Sequence, residues 1–228
     1  MKKMFSSIIY EEKMLLLRAQ LIKGFNIIDI ARWLNYKIPK NINKDKGIMG
    51  KLIEFYLIGK HQNNKLNQDL PYLGIEIKTI TINKKNKVIN DNFICSFSLI
   101  NENNFLFYKS KLYDKISKIL WIPIIKNVNT PFFMNKIGKA FLWKPSNNDK
   151  IKLCNDWNNL TKLLILGQIN DINSYNGYIL LVKNKSNKKK LTKAIDKNGK
   201  IIFVTPKSFY FKKKFLNYIL KNKVNFKN

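Results

Sequence analysis

An α/β fold with a mixed sheet is what this sequence predicts, on three observations. Residues 11–57 carry helical periodicity, short β-branched runs bounded by turn residues follow from residue 74 onward, and a long amphipathic segment at 149–166 interrupts the later strands. At 228 residues the chain is one large domain or two lobes, long enough to bury a proper core. Hydrophobic residues make up 45% and charged residues 25%, a globular composition that excludes a disordered chain.

The elements follow in order. Met14, Leu17, Leu21 and Ile22 predict a core helix over 11–23, with Gly24 as its stop. Asn26 caps a second helix, 27–34. A polar, glycine-punctuated stretch at 41–50 leads into a third helix over 48–57, which is apolar except for Lys51 and Glu54. Glu54 reads either as a surface acid paired to Lys51 or Lys60, or as a functional carboxylate. Residues 61–67 form a polar loop, and its lone His61 reads as a loop residue rather than a general base. A strand at 74–82, a polar turn at 83–87 and a strand at 93–99 predict a hairpin. The run 119–125 is a further strand, 149–166 a helix with a broad apolar face, and 178–182 and 201–205 strands around the lysine-rich loop 183–193. The segment 206–221 reads as a C-terminal amphipathic helix with a basic edge.

The stretch that bears chemistry is Gln68–Ile82. In an extended strand alternate side chains share a face, so Glu76 and Lys78 point the same way while Ile75 and Ile77 turn inward. Their Cα atoms lie about 7 Å apart, which lets a carboxylate and an ammonium flank one phosphate. Asp69 precedes Pro71 and Gly74 in a turn that brings its carboxylate back beside Glu76. Two acidic oxygens completed by water suit Mg²⁺, and Lys78 beside them can orient water or neutralise charge on a phosphate. Asp, a spacer and Glu-x-Lys is the signature of the PD-(D/E)xK nucleases, but an amphipathic strand with a solvated salt bridge would show the same letters.

Net charge is +29, from 43 basic and 14 acidic residues, which favours a polyanionic partner, nucleic acid before anionic membrane. Arg18 and Arg32 are the only arginines in a chain rich in Lys, Asn and Ile, so part of that charge reflects AT-biased codon usage. Base readout must therefore rest on lysine, amides, hydroxyls or backbone rather than on the bidentate arginine usual at guanine. Lys109, Lys111, Lys115 and Lys118, mixed with Tyr108 and Tyr113, read as a basic stretch that tracks a phosphate backbone or solvates a helix. Cys95 and Cys154 are the only cysteines and have no second ligand at zinc spacing; Cys95 reads as a small buried hydrophobe. This usage fits a reducing cytoplasm. No apolar run reaches the roughly 18 residues of a membrane span, and the N-terminus has too short an apolar core for a secretory signal, so a soluble cytoplasmic protein is expected.

Residues on both sides of the Glu-x-Lys strand resemble the MutH family of DNA mismatch-repair endonucleases. The resemblance runs in order through Asp45-Lys46-Gly47, Gly50 to Glu54, Gln68-Asp69, Leu73 to Ile80, Phe93-Ile-Cys95 and Ile119 to Pro123. It continues through Leu142-Trp-x-Pro145, Asp156-Trp157, Ile165 to Gln168, Leu191-Thr-x-Ala-Ile195 and Pro206-x-x-Phe-Tyr-x-Lys-Lys213. It implies a restriction-endonuclease-like mixed central sheet flanked by helices, in one 1–228 domain whose two lobes form a DNA-binding cleft. The active-site strands would lie at about 69–99 and the DNA-recognition region at about 175–221. The implied activity is Mg²⁺-dependent nicking of the unmethylated strand at hemimethylated GATC sites, by a monomer activated by MutL after MutS finds the mismatch. By the same resemblance Asp69, Glu76 and Glu54 hold metal or water, and Lys78 is the catalytic lysine. Lys46, Lys115, Lys183 and Tyr210 would contact DNA. Lys183 stands where the family has arginine, which loses the planar fork. Asn90 stands where an acid is expected before Phe93. The rival readings are a restriction enzyme cutting both strands at GATC, and a non-catalytic basic DNA-binding module.

Overall fold

The computed structural model describes residues 2–38, 47–59, 68–100, 105–127, 129–172, 177–185 and 191–223, with side chains from residue 8 onward. Lys46, the loop 61–67 with His61, and residues 186–190 of the lysine-rich loop lie outside the described residues. The elements are α1 (Lys2–Leu21), α2 (Ile27–Trp33), α3 (Ile48–Ile58), β1 (Glu76–Ile82), β2 (Asn92–Phe97), α4 (Lys111–Ile116), β3 (Ile119–Ile125), β4 (Lys136–Ile137) and β5 (Phe141–Trp143). They continue with α5 (Asn147–Ile165), α6 (Ile169–Ile172), β6 (Leu180–Asn184), β7 (Thr192–Ile195), β8 (Ile201–Val204), β9 (Lys207–Phe211) and α7 (Lys213–Lys223). This is the expected α/β class with a mixed sheet. Two compact units divide it: Met1–Ile89 with Lys118–Trp143 and Ile219–Asn228, and Asn90–Ser117 with Lys144–Tyr218.

In the first unit β1 runs parallel to β3, and β4 and β5 pair antiparallel with β3. Every residue of β3 but the last is buried, as a central strand covered on both faces requires. One face, with Leu120, Ile122 and Ile124, belongs to the core cluster that Ile22, Ile27, Ile30 and Ile53 of the helical region complete. Asp29 starts α2 by accepting the Asn26 N–H at 2.9 Å. The α1 helix corrects the sequence reading in one respect. Leu15, Ala19 and Ile22 face inward, whereas Met14, Leu17 and Leu21 are exposed. Both stripes are apolar at helical spacing, so periodicity cannot tell which one the sheet covers.

The hairpin expected over 74–99 does not form. Asn83 Oδ1 accepts the N–H groups of Lys85 and Lys87, and Ile89 N–H returns to the Thr81 carbonyl at 3.0 Å, so the turn is real but the return is short. Instead β2 pairs antiparallel with β9 in the second unit, in a sheet of order β2-β9-β6. The strands expected at 178–182 and 201–205 are present as β6 and β8, and pair with β9 and β7 respectively. Residues 207–211, read as the start of a helix, form β9, the central strand between β2 and β6, buried at every residue but Tyr210, before Lys213 begins α7.

The second unit is organised by Asp156, which the apolar reading of 149–166 passed over. It is 1% exposed and accepts the N–H groups of Tyr178, Ile179 and Leu180 at 2.7, 2.8 and 2.8 Å, tying α5 to the entry of β6. Gly177 is required there, since a methyl in place of its hydrogen would collide with the same carboxylate. Lys212 Nζ donates to the Gly177 carbonyl from the other side. At the start of α5 Ser146 and Asp149 exchange hydrogen bonds. Trp157 packs at 5.9 Å from the Phe209 ring and donates its indole N–H to the Phe105 carbonyl. Cys95 is buried as expected, and neither Cys95 nor Cys154 is in a disulfide. Among the described residues no helix is long and apolar enough to cross a membrane.

Asp156→Ala strands those N–H groups in the interior and costs about 3 kcal/mol or more in a urea unfolding titration. Gly177→Ala destabilises through the same contact.

Candidate active site

The acidic site is built on the edge of β1. The Glu76 N–H points toward β3 and donates to the Lys118 carbonyl at 3.0 Å. Backbone N–H groups alternate along a strand, so the next one, from Ile77, points to the opposite edge. There Asp69 Oδ2 accepts it at 2.7 Å. The turn that returns Asp69 to this edge is closed by reciprocal bonds between Leu70 and Ile75, at 2.9 and 3.1 Å. Gly74 takes φ +64 in that turn, and Gln68 Nε2 donates to its carbonyl at 2.8 Å. The turn thus brings the Asp69 carboxylate back to the start of β1, with the N–H of the residue after Glu76 as its anchor.

Glu76 and Lys78 share the opposite face from Ile77, as alternation requires, and Lys78 Nζ stands 3.3 Å from Glu76 Oε1. Only 8% of the Glu76 side chain and 10% of the Lys78 side chain are exposed, so this is a largely desolvated ion pair and not a solvated surface bridge. Register explains the burial: Glu76 lies beside Ile119 and Lys78 beside Trp121, which pair onward with Trp143 and Phe141. The expected polar and apolar faces are therefore not cleanly separated, since Ile80 and Ile82 on the charged face are also buried.

Glu54 sits on α3, which packs against β1, and its Oε1 is buried. Among the described residues no three of His, Cys, Asp and Glu are gathered closely enough to hold a metal, so Glu54 does not complete a three-acid cluster with Asp69 and Glu76. Asp69 and Glu76 alone still fit Mg²⁺, a hard ion that takes one or two carboxylates and completes its shell with water and substrate phosphate.

The expected DNA contacts fall differently. Lys115 is on α4 in the second unit and is 5% exposed. Lys118 is committed to Glu12 and to the Leu73 carbonyl. The stretch 109–118 is thus no row of solvated lysines. In the sheet β2-β9-β6 Lys183 Nζ stands 5.1 Å over the Tyr210 ring, and Phe93 meets that ring edge-on at 5.6 Å. Both residues singled out for recognition, Lys183 and Tyr210, therefore lie together on one sheet face. Sequence reading missed Asp91, next to the remarked Asn90. It accepts Lys183 Nζ at 2.7 Å and the Lys213 N–H at 2.8 Å. It missed Lys207 too, buried with Nζ 2.6 Å from Asn184 Oδ1, where desolvation pushes the ammonium pKa down. Counting lysines as surface charge hides such cases.

The family model described as DNA mismatch repair enzyme MutH matches residues 58–156, which include Asp69, Glu76, Lys78 and Lys115. The curated DNA mismatch repair protein MutH of Haemophilus ducreyi is 35% identical over 212 residues, 92% of this chain and 93% of that one. The protein of the same name from Actinobacillus pleuropneumoniae is 35% identical over 95% of this chain and 96% of its own, and that from Histophilus somni 36% over 92% and 93%.

Partial burial alone would raise the Asp91 pKa, but the bonds from Lys183 and the Lys213 N–H outweigh it and hold the carboxyl below its ordinary 3.8. A depressed folded-state pKa contributes stability above the unfolded value, lost as pH falls through the folded one. The stability difference between the unaltered protein and Asp91→Asn is therefore constant at neutral pH and shrinks below 3.8, as thermal melts across pH would read. With Lys183 about half exposed, that difference is small.

Proposed function

The chain belongs to the family of the DNA mismatch repair enzyme MutH, and from that premise we propose that it nicks the unmethylated strand of duplex DNA at hemimethylated GATC sites. The observation that carries the chemistry is the placement of the Asp69 carboxylate on the β1 edge, one residue from a buried Glu76–Lys78 pair.

Asp69 and Glu76 would hold Mg²⁺, which when bound supplies Lewis-acid polarisation of a phosphate oxygen. The chain's own groups do the rest. Asp69 is oriented by the Ile77 N–H, so its carboxylate does not rotate away when charge is added nearby. Lys78 is held by Glu76 in a desolvated setting, where an ammonium acts on phosphate charge more strongly than in water. It orients the attacking water or neutralises the charge that grows as water attacks phosphorus in line. Glu54, with a buried carboxylate oxygen, assists by holding water.

Lys183 and Tyr210 form the recognition face that reads the target adenine and its methylation, with Lys46 and Lys115 as further DNA contacts. The Asp91 bond restores some of the orientation that lysine lacks relative to arginine, by pinning the ammonium over the ring. MutL is the proposed activator, after mismatch recognition by MutS, and the proposed setting is a monomer in the cytoplasm.

Nicking of plasmids carrying unmethylated, hemimethylated or fully methylated GATC sites, with Mg²⁺ and with or without MutL, tests this. Strand-specific nicks blocked by full methylation and stimulated by MutL are expected. Double-strand breaks made without MutL would identify a restriction enzyme instead. Asp69→Ala and Glu76→Ala each reduce nicking to background while duplex affinity persists; full activity in either variant sinks the assignment.

A further inference from the structure

We propose that Lys118 is a positioning residue for the acidic site, holding the Asp69 turn to helix α1, and not a contact to phosphate. The proposal rests on the nuclease reading for the purpose of the device, but its geometry stands apart from it.

Lys118 immediately precedes β3, and one residue grips the segment between the two acids at its middle and where it enters β1. Its carbonyl accepts the Glu76 N–H at 3.0 Å. Its Nζ donates to the Leu73 carbonyl at 2.7 Å and to Glu12 Oε2 at 2.7 Å. Main chain therefore sets where β1 begins, and side chain sets how far the turn before it can open. Asp69 enters that turn and Glu76 leaves it, so the spacing of the two carboxylates depends on its curvature.

Glu12 makes the arrangement affordable. An ammonium with a side chain only 15% exposed, bonded to a neutral carbonyl alone, would be a charge left without compensation. Paired with Glu12 it makes two charge-assisted bonds that surface water screens little. The preceding residue, Glu11, lies close enough to the Tyr72 hydroxyl to help raise its pKa, after the effect of burial. Two successive acids of α1 thus reach neighbouring residues of one turn, Tyr72 directly and Leu73 through Lys118. In a chain with 14 acidic residues against 43 basic ones, two acids on the side chains of a single turn are a substantial commitment. Groups that orient metal-holding carboxylates from outside govern metal affinity without touching the ion.

Lys118→Met, Lys118→Arg and Glu12→Gln in the full chain, compared with the unaltered protein, separate the two roles. Calorimetric titration with Mn²⁺ reads the acidic site without catalysis, and fluorescence anisotropy with a duplex reads DNA affinity. Lys118→Met weakens Mn²⁺ binding about tenfold and leaves duplex affinity and its salt dependence unchanged. Lys118→Arg, which can still bridge carboxylate and carbonyl, recovers most of the loss, and Glu12→Gln gives a smaller shift in the same direction. Unchanged Mn²⁺ affinity in the Met and Gln variants overturns the proposal, as does absence of Mn²⁺ binding by the unaltered protein. So does a loss of duplex affinity with a salt slope reduced by about one, the mark of a phosphate contact. If the Met variant does not fold, Glu12→Gln decides alone. An unaltered protein that binds Mn²⁺ but nicks no DNA refutes the nuclease reading, and the clamp is still judged by the calorimetry.

Discussion

A strand paired on one side only has every second N–H facing away from its sheet, and the turn that carries Asp69 is arranged around one such group. The Ile77 N–H on the β1 edge is satisfied by a carboxylate instead of a neighbouring strand. A further strand there would have met the sheet's need for hydrogen bonds and left Asp69 no place. The bond that caps the edge is also the one that orients an acid, so satisfying the strand and placing the carboxylate are the same event. The parallel β1–β3 register then brings Trp121 and Ile119 beside the charged pair and removes water from it.

How much of this could be read from residues alone depended on how far apart the partners lie. Alternation within one strand put Glu76 and Lys78 on one face, and Pro71 and Gly74 announced the turn behind Asp69, because those relations span only a few residues. The role of Lys118 was hidden because its partner Glu12 is 106 positions away, and a lysine among lysines carries no sign of being bonded. Asp91 was passed over for the same reason, its ammonium partner being 92 positions distant. Strand existence was legible at 74–82 and 119–125, whereas strand pairing was not. The hairpin inferred from adjacency failed because β2 has a better partner in β9, whose Phe209 and Phe211 fill the core behind it.

The acids show what the excess of lysine conceals. With 43 basic residues a cation is always near, so basic groups distinguish little, while an acid can organise whatever it meets. Asp156 gathers backbone N–H groups to join a helix to a strand, Asp149 starts a helix, Asp91 holds an ammonium over a ring, and Glu12 neutralises a buried one. Asp69 and Glu76 do the same, Asp69 taking a strand N–H and Glu76 an ammonium.

The strand pairings also order how the chain acquires its structure as it is made. The sheet that carries Asp69 and Glu76 is complete in sequence by Trp143, since β5 is its last member. The sheet β2-β9-β6 cannot close until Phe211 exists to meet Asn92, so β2 waits through about half of synthesis for its partner β9. Closing so long a loop is entropically costly and slow. During vectorial synthesis the strands around β3 can therefore pair before those around β9, and the nascent chain passes through a stage in which the β1 edge and its acids are in place while the sheet that holds Lys183 and Tyr210 is still open.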